Sequence, residues 1–542
     1  MNFKIVRGLA GALLAGILAG CCCDDGWEAK RTELRGRERP LLFNADGNEM
    51  VYYPMRSPIT YDGFCAQRLN GYTNSAISTL CYCPWSSGFG LMSTLRAGEF
   101  FDRPIDLNKG CTNAAPLFAR ELGTDALEMT SRFCRMDGRE IIVSIRVNDT
   151  HDNWYFQPGT NPPRSWLFPK WKEAHPDCLY GRKDGKNPPF GSWTAVDFER
   201  PEVRAYMREF VRDFVDNYDV DGIEFDFMRH CQIFKSVGWG AQATPAQLKL
   251  MTDFMGELRG IVEAAGRRKG RPLLVLVRTP DSIDYCRAVG IDIEAWLKAG
   301  VADIWSVSDY FQLEYWDRAV ALAHRYGVKL YAALAESRVP GQVKGKAKEG
   351  ARMLPGRNGI ECFTAEYAAA MACGCDGIEL FNQSCIWPLD TRKLNAIDPR
   401  RTAGLDKVYF ALVRGSGGYE PRHWLKDGMS FYRRPYVDPG KLLRIPSGRP
   451  FAADIVLGDD PAAGGQATLK LLFGALQPVV KSVSVNGRSV KLGSFKDGEH
   501  AFVLPSGSWR RGHNEFSFVP ETAEKDVLFS DMAVYMKFQG GN

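Results

Sequence analysis

One stretch of this 542-residue chain concentrates acidic groups: Val220-Asp221-Gly222-Ile223-Glu224-Phe225-Asp226-Phe227-Met228-Arg229-His230. Alternate side chains of an extended strand share a face, so Glu224 and Asp226 point one way and Ile223, Phe225 and Phe227 the other. If the apolar set packs against helices, both carboxyl groups face an interior. There, like charges raise at least one pKa unless a cation such as Arg229 or His230 is near. Two carboxyl groups pushed to different protonation states are what general acid and base chemistry requires. The same residues would also serve a purely structural ion-pair network with Arg229. A third acid, Glu336, ends the apolar run Lys329 to Ala335, where partial desolvation would keep it protonated near neutral pH. The plain alternative for Glu336 is a solvated loop residue.

Such groups need a frame that brings distant strand ends together. Short apolar runs occur near Glu49 to Pro54 and at Ala76 to Tyr82, Glu140 to Val147, Gly222 to Phe227, Leu273 to Val277, Ile304 to Val307, Lys329 to Ala335 and Gly377 to Phe381. Between them lie helical periodicities such as Pro201 to Asn217, Pro245 to Ala265 and Tyr315 to Tyr326. Eight strands alternating with helices predict an α/β fold, a (β/α)8 barrel over residues 41–415, whose site lies at the C-terminal strand ends. A doubly wound open sheet ranks below it because no GxGxxG follows the first strand. From about Pro421 the texture changes to short strands with Gly, Pro, Asn and Asp turns: Met429 to Arg433, Leu442 to Ile445, Phe451 to Leu457, Ala467 to Leu472, Val479 to Val485, His500 to Leu504 and Asn514 to Phe518. This predicts an all-β, jelly-roll-like sandwich over 421–542, with tight turns at Val485-Asn486-Gly487 and Gly512-His513-Asn514. Glycan binding or plain packing would suit such a module equally well.

The N-terminus reads as an export signal: Lys4 and Arg7, an apolar run from Gly8 to Gly20, then Leu18-Ala19-Gly20-Cys21. The run is short for a membrane span. It resembles the bacterial lipobox, which implies a signal peptide over 1–20, lipidation of Cys21, and a membrane-anchored protein of the cell envelope. The polar residues 21–40 read as a tether. The composition is globular, with 45% hydrophobic and 25% charged residues. The net charge of +5 is partly held by Lys4, Arg7 and the KRTELRGRER run, so no nucleic-acid partner is implied. Of fifteen cysteines, twelve fall between Cys65 and Cys385, an even number compatible with disulfides or with buried thiols. Cys81-x-Cys83 and Cys373-x-Cys375 lack the spacer usual for zinc, and neither a structural metal nor a cofactor is expected.

The segment DGIEFDFMRH, entered from PEVRAYMREFVRDFVDNYDV, is similar to the fourth-strand region of bacterial family-10-like glycosylhydrolase proteins. It also resembles the fourth strand of the α-amylase superfamily, whose nucleophile stands where this chain has Asp226 and whose arginine stands where it has Glu224. The resemblance covers most of residues 45–415. It implies a glycoside hydrolase acting on an oligo- or polysaccharide. That reaction needs one carboxylic acid to protonate the leaving oxygen and one carboxylate to attack or activate water. Asp226 is the first choice for the carboxylate, Glu336 for the acid, and Glu224 competes for either role. Arg146, Asn148, Asp149 and His151 are suited to orienting hydroxyl groups, and Trp154 and Tyr155 to stacking beneath a sugar ring. Asp309 and His230 also sit at strand ends. Arg229 and Arg278 would pair with carboxylate or sulfate on an anionic polymer.

Three alternatives carry different weight. GxSxG, HExxH and the Walker pattern are absent. A metal-dependent barrel using Asp149, His151, Asp226 and His230 has suitable ligand types but no familiar spacing. A non-catalytic glycan-binding barrel would use the same cleft.

Overall fold

The computed structural model describes residues 26–84, 89–102, 110–153, 167–228, 230–308, 313–335, 352–357, 359–381, 394, 397–398, 401–411, 437 and 442–538. Eight parallel strands close into a barrel: β1 Leu41–Ala45, β2 Ile77–Tyr82, β3 Glu140–Arg146, β4 Gly222–Asp226, β5 Leu274–Pro280, β6 Ile304–Ser308, β7 Lys329–Ala335 and β8 Gly377–Phe381, with β8 pairing back onto β1. The expectation of a (β/α)8 barrel is met, with one strand misplaced. The first strand is Leu41–Ala45, whose five residues are all buried, and not the region near Glu49 to Pro54. Tyr53–Pro54 makes only a two-residue antiparallel pairing with Cys111–Thr112, outside the barrel.

Strand alternation fills the barrel in layers. Leu42, Cys81, Ile142, Leu274, Leu276, Ile304 and Tyr331 form an apolar plug toward the N-terminal end. The next inward positions are polar, among them Asn44, Ser144, Glu224, Ser306 and Glu379, all buried. Arg146, Asp226, Arg278 and Phe381 lie nearest the C-terminal end. Gly222 starts β4 where a Cβ would come within 2.2 Å of the Leu274 carbonyl oxygen, so only glycine lets β4 and β5 approach this closely.

The stretch read as a tether is largely structured. Residues 26–36 form a helix, α1, across the N-terminal end of the barrel. Leu34 packs on the apolar plug, and Arg31 donates to Asp303 Oδ1 and to the Gly300 carbonyl, both at 2.8 Å. Arg267 covers the Trp27 ring at 4.8 Å. Outside the barrel, α2 (Pro201–Asn217) spans the predicted range, with Val203, Met207, Phe210, Val211, Phe214 and Val215 turned inward. Helix α3 (Pro245–Lys269) starts with a Thr244–Gln247 capping box and ends at Gly270 with φ +71°. Helices α4 (Asp317–Arg325) and α5 (Ile360–Ala372) complete the face toward the C-terminal region.

That region is two antiparallel sheets, as expected for a sandwich. One contains β9 (Lys407–Phe410), β10 (Leu443–Pro446), β12 (Gln466–Phe473), β15 (Ser494–Lys496), β16 (Glu499–Val503) and β18 (Asp526–Lys537). The other contains β11 (Phe451–Leu457), β13 (Val480–Val485), β14 (Arg488–Val490) and β17 (Gly512–Pro520). The Asn486-Gly487 turn joins β13 to β14 with φ of +51° and +76°, the left-handed pair a two-residue hairpin needs. Three readings change. Lys407–Phe410, placed with the barrel by sequence, pairs with β18. The twelve-residue β18 carries no turn signal and was not foreseen. Gly512-His513-Asn514 is not a turn, because these residues open β17, with His513 opposite Val456. Met429 to Arg433 lies outside the described residues. All eleven described interior cysteines are free thiols.

Candidate active site

At the C-terminal end of β4, Asp226 and Glu224 both point into the barrel and are 1% and 0% exposed. Ile223 and Phe225 pack outward in the helix-facing core, as the alternation requires. Among the described residues, the cation paired with Asp226 is Arg278 of β5, directly opposite it in register. Its Nη1 donates to Asp226 Oδ2 at 3.2 Å, its Nε lies 3.9 Å from Glu379 Oε2, and its guanidinium stacks 3.8 Å above the Phe381 ring. Asp226 Oδ1 accepts from the Met228 backbone N–H at 2.8 Å. Burial pushes the Asp226 carboxyl up to about 6, and Arg278 and Arg146 keep it from rising further.

Glu224 sits one layer deeper. Asn44 Nδ2 donates to its Oε2 at 2.7 Å and to Ser144 Oγ at 3.2 Å. Carboxylate oxygens of Glu224 and Glu379 and the Cys81 Sγ lie within 4.8 Å of one another. Burial first, then the charges of Glu379 and Asp226, push Glu224 well above the carboxylate range. Asp226, brought to about 6, is the acid that ionises near neutral pH, with the upward-shifted Glu224 one layer below it. Among the described residues, half of the buried side-chain polar atoms lacking a hydrogen-bond partner belong to this barrel centre: Asn44, Glu224, Arg278, Ser306, Tyr331 and Glu379. Each buried polar atom without a partner calls for an explanation, and a catalytic or binding role is one.

Arg146 of β3 connects Asp226 to a second group. It pairs with Asp46 through Nη2 and lies 3.4 Å from Asp149 Oδ2 through Nη1. Asp149 in turn holds His151 Nδ1 at 2.8 Å. Burial works against its charge, yet His151 and Arg146 hold Asp149 well below the usual carboxylate range. The His151 and His230 rings meet edge to face at 5.7 Å. Asn148 is instead a loop clamp: Nδ2 donates to the Val196 and Gln232 carbonyls, and Oδ1 accepts from the Val196 N–H. Asp149, His151, Asp226 and His230 form neither of the described donor clusters with metal-ligand spacing.

The structure thus brings together Asp226, Glu224, Arg278 and Arg146, with Asp149, His151 and His230 adjoining. Glu336, Trp154, Arg229, Asp309 and Cys21 lie outside the described residues. Sequence reasoning missed Glu379, Asn44, Asp46 and Phe381 as parts of the site. The Asp376-Gly377-Ile378-Glu379 run has the same Asp-Gly-Ile-Glu order as Asp221 to Glu224, and that repeat was the available signal for Glu379.

No protein-family model matches the chain, and no curated protein matches its sequence. Solved structures similar to it include the glycoside hydrolase domain of PgaB (BpsB) from Bordetella bronchiseptica, 13% identical over 64% of this chain and 95% of that chain, with a TM-score of 0.38. A glycoside hydrolase family 18 N-acetylglucosaminidase from Paenibacillus barengoltzii is 12% identical over 66% of this chain and 99% of that one, with a TM-score of 0.36. Chitinase ChiA74 from Bacillus thuringiensis is 9% identical over 91% of this chain and 100% of that one, with a TM-score of 0.37.

Proposed function

We propose that this protein is a glycoside hydrolase of the family-10-like kind, exported and held at the cell envelope by a lipid on Cys21, that cleaves an extracellular oligo- or polysaccharide. The observation that carries the proposal is Asp226: a carboxyl at the C-terminal end of β4, fixed by Arg278 and the Met228 N–H, that burial brings to about 6. Such a group is ionised at neutral pH yet poorly solvated, which suits a nucleophile or a base acting on water. Glu336 is the proposed acid. The charge of Glu379, one layer below, adds to the upward shift of Asp226. Arg146 and Arg278 both face carboxylates of the chain itself, which supports a neutral glycan over an anionic or sulfated one.

The test is reducing-end release from neutral, uronic and sulfated polysaccharides by the protein and its Asp226→Asn and Glu336→Gln variants. Release from one polymer that both substitutions abolish, in folded proteins, supports the hydrolase. Glycan retention without release, indifferent to Asp226→Asn, would replace it with a glycan-binding barrel. Release indifferent to both substitutions would move the site elsewhere.

A further inference from the structure

Away from the barrel mouth, three metal-ligating side chains from three separate elements converge where the barrel meets the sandwich. Asp317 is the first residue of α4, Cys373 caps the end of α5, and His513 lies in β17. Their ligand atoms lie within 4.8 Å of one another. His513 Nε2 is 2.8 Å from Asp317 Oδ2, while the other ring nitrogen, Nδ1, is 2.7 Å from Asp454 Oδ2. Asp454 therefore fixes the imidazole and keeps a proton on Nδ1, leaving Nε2 turned toward the carboxylate and the thiol. A histidine whose far nitrogen is held by a second carboxylate is the usual support for a metal-bound imidazole. The Tyr315 ring meets His513 edge-on at 5.2 Å, and its hydroxyl donates to the Asp454 carbonyl at 2.9 Å, so the tyrosine packs on the imidazole and anchors the residue that holds it.

We propose that Asp317, Cys373 and His513 form a binding site for a divalent transition-metal ion of the zinc class, with Asp454 as the positioning carboxylate. The donor set decides the class: thiolate and imidazole favour zinc over magnesium or calcium, which take all-oxygen shells. A tetrahedral zinc ion holds such atoms roughly 3.3–3.7 Å apart, so the Asp317–His513 pair opens by about half an ångström on binding. The ion takes the place of the proton between Nε2 and Asp317 and of the Cys373 thiol proton; two protons leave to solvent and no bond is oxidised. The Asp317 and His513 side chains are 48% and 36% exposed while Cys373 is buried, which gives an ion an entrance and leaves the fourth position to water. With ligands on both sides of the seam, the ion would tie barrel to sandwich. The site stands apart from Asp226, and its test does not depend on the hydrolase proposal.

The experiment is titration of the purified, EDTA-treated protein with cobalt(II) chloride, followed by zinc(II) chloride, using the native chain and its Cys373→Ser, His513→Gln and Asp454→Asn variants. One equivalent of cobalt should bind with a thiolate-to-metal charge-transfer band and intense visible bands of tetrahedral geometry, and zinc should displace it. Cys373→Ser keeps the His513 ion pairs and should fold normally while losing the charge-transfer band. His513→Gln should weaken binding at least tenfold, and Asp454→Asn about 10–100-fold. Zinc should raise the thermal midpoint of the native chain and leave that of Cys373→Ser unchanged. Absence of stoichiometric binding, or a charge-transfer band that survives Cys373→Ser and so arises from another of the free thiols, would overturn the proposal.

Discussion

Replacing Asp226 by Asn should change how stability depends on pH in one narrow window. The ordinary value for this carboxyl is 3.8, and burial raises it to about 6 in the folded chain. Between those values the folded state holds a proton that the unfolded state has lost, so stability falls as pH rises through the window. About two units at about 1.36 kcal/mol each give a fall of about 3 kcal/mol between roughly pH 4 and pH 6. The Asn variant lacks this fall. Its unfolding free energy relative to the native protein should therefore climb by about 3 kcal/mol across the window, on top of an offset for the partner Arg278 loses. A guanidinium does not titrate here, so that offset is flat. Asp281, Glu314 and Glu366, which burial brings to about 8, 7 and 7, shift stability in the same direction in both proteins and cancel in the difference. Urea unfolding of the two proteins at half-unit pH steps, followed by the fluorescence of buried Trp296 and Trp305, measures it. A flat difference would refute the reasoning. A native curve that rises through the window would mean that Arg278 outweighs burial, leaving Asp226 an ordinary ion-pair partner.

Removing the cation should act in the opposite sense on the same group: Arg278→Gln raises the Asp226 pKa by about 1–3 units, moving the acid limb of the pH–activity profile upward by that amount. Lys172 and Asp152 form a fully enclosed pair at 2.6 Å, so Lys172→Met alone should cost about 3–5 kcal/mol in urea unfolding, while adding Asp152→Leu restores most of it. Gly222→Ala drives a Cβ against the Leu274 carbonyl and should lower stability by at least about 1–3 kcal/mol, read as a fall in thermal midpoint.

What could be read from sequence divides along sequence distance. Asp226 and Glu224 were legible because their alternation with Ile223, Phe225 and Phe227 is local and the strand pattern alone turns them inward. Glu379 and Asn44 were not, because their place beside Glu224 exists only once the barrel closes and β8 pairs with β1. The first strand was misplaced because Tyr53–Pro54 and Leu41–Ala45 are both apolar, and only pairing with β2 and β8 separates them. The turn signal at Gly512-His513-Asn514 was real but displaced. Asn514 closes the preceding loop, donating to the Arg510 and Gly512 carbonyls at 2.7 and 2.8 Å, while its own backbone belongs to the strand. The polar residues 26–36 looked like tether because only a few of their side chains, Trp27, Arg31 and Leu34 among them, anchor the helix to the barrel.

The position of α1 fixes which way the molecule would face. Helix α1 lies across the end of the barrel opposite Asp226, and only residues 22–25 separate it from Cys21. The five Cα–Cα steps from Cys21 to Gly26 reach at most about 18 Å, so a lipid on Cys21 would hold the closed floor of the barrel near the bilayer like the base of a cup. The rim would open toward the surrounding medium, where a polymer too large to slip between protein and membrane could still enter it.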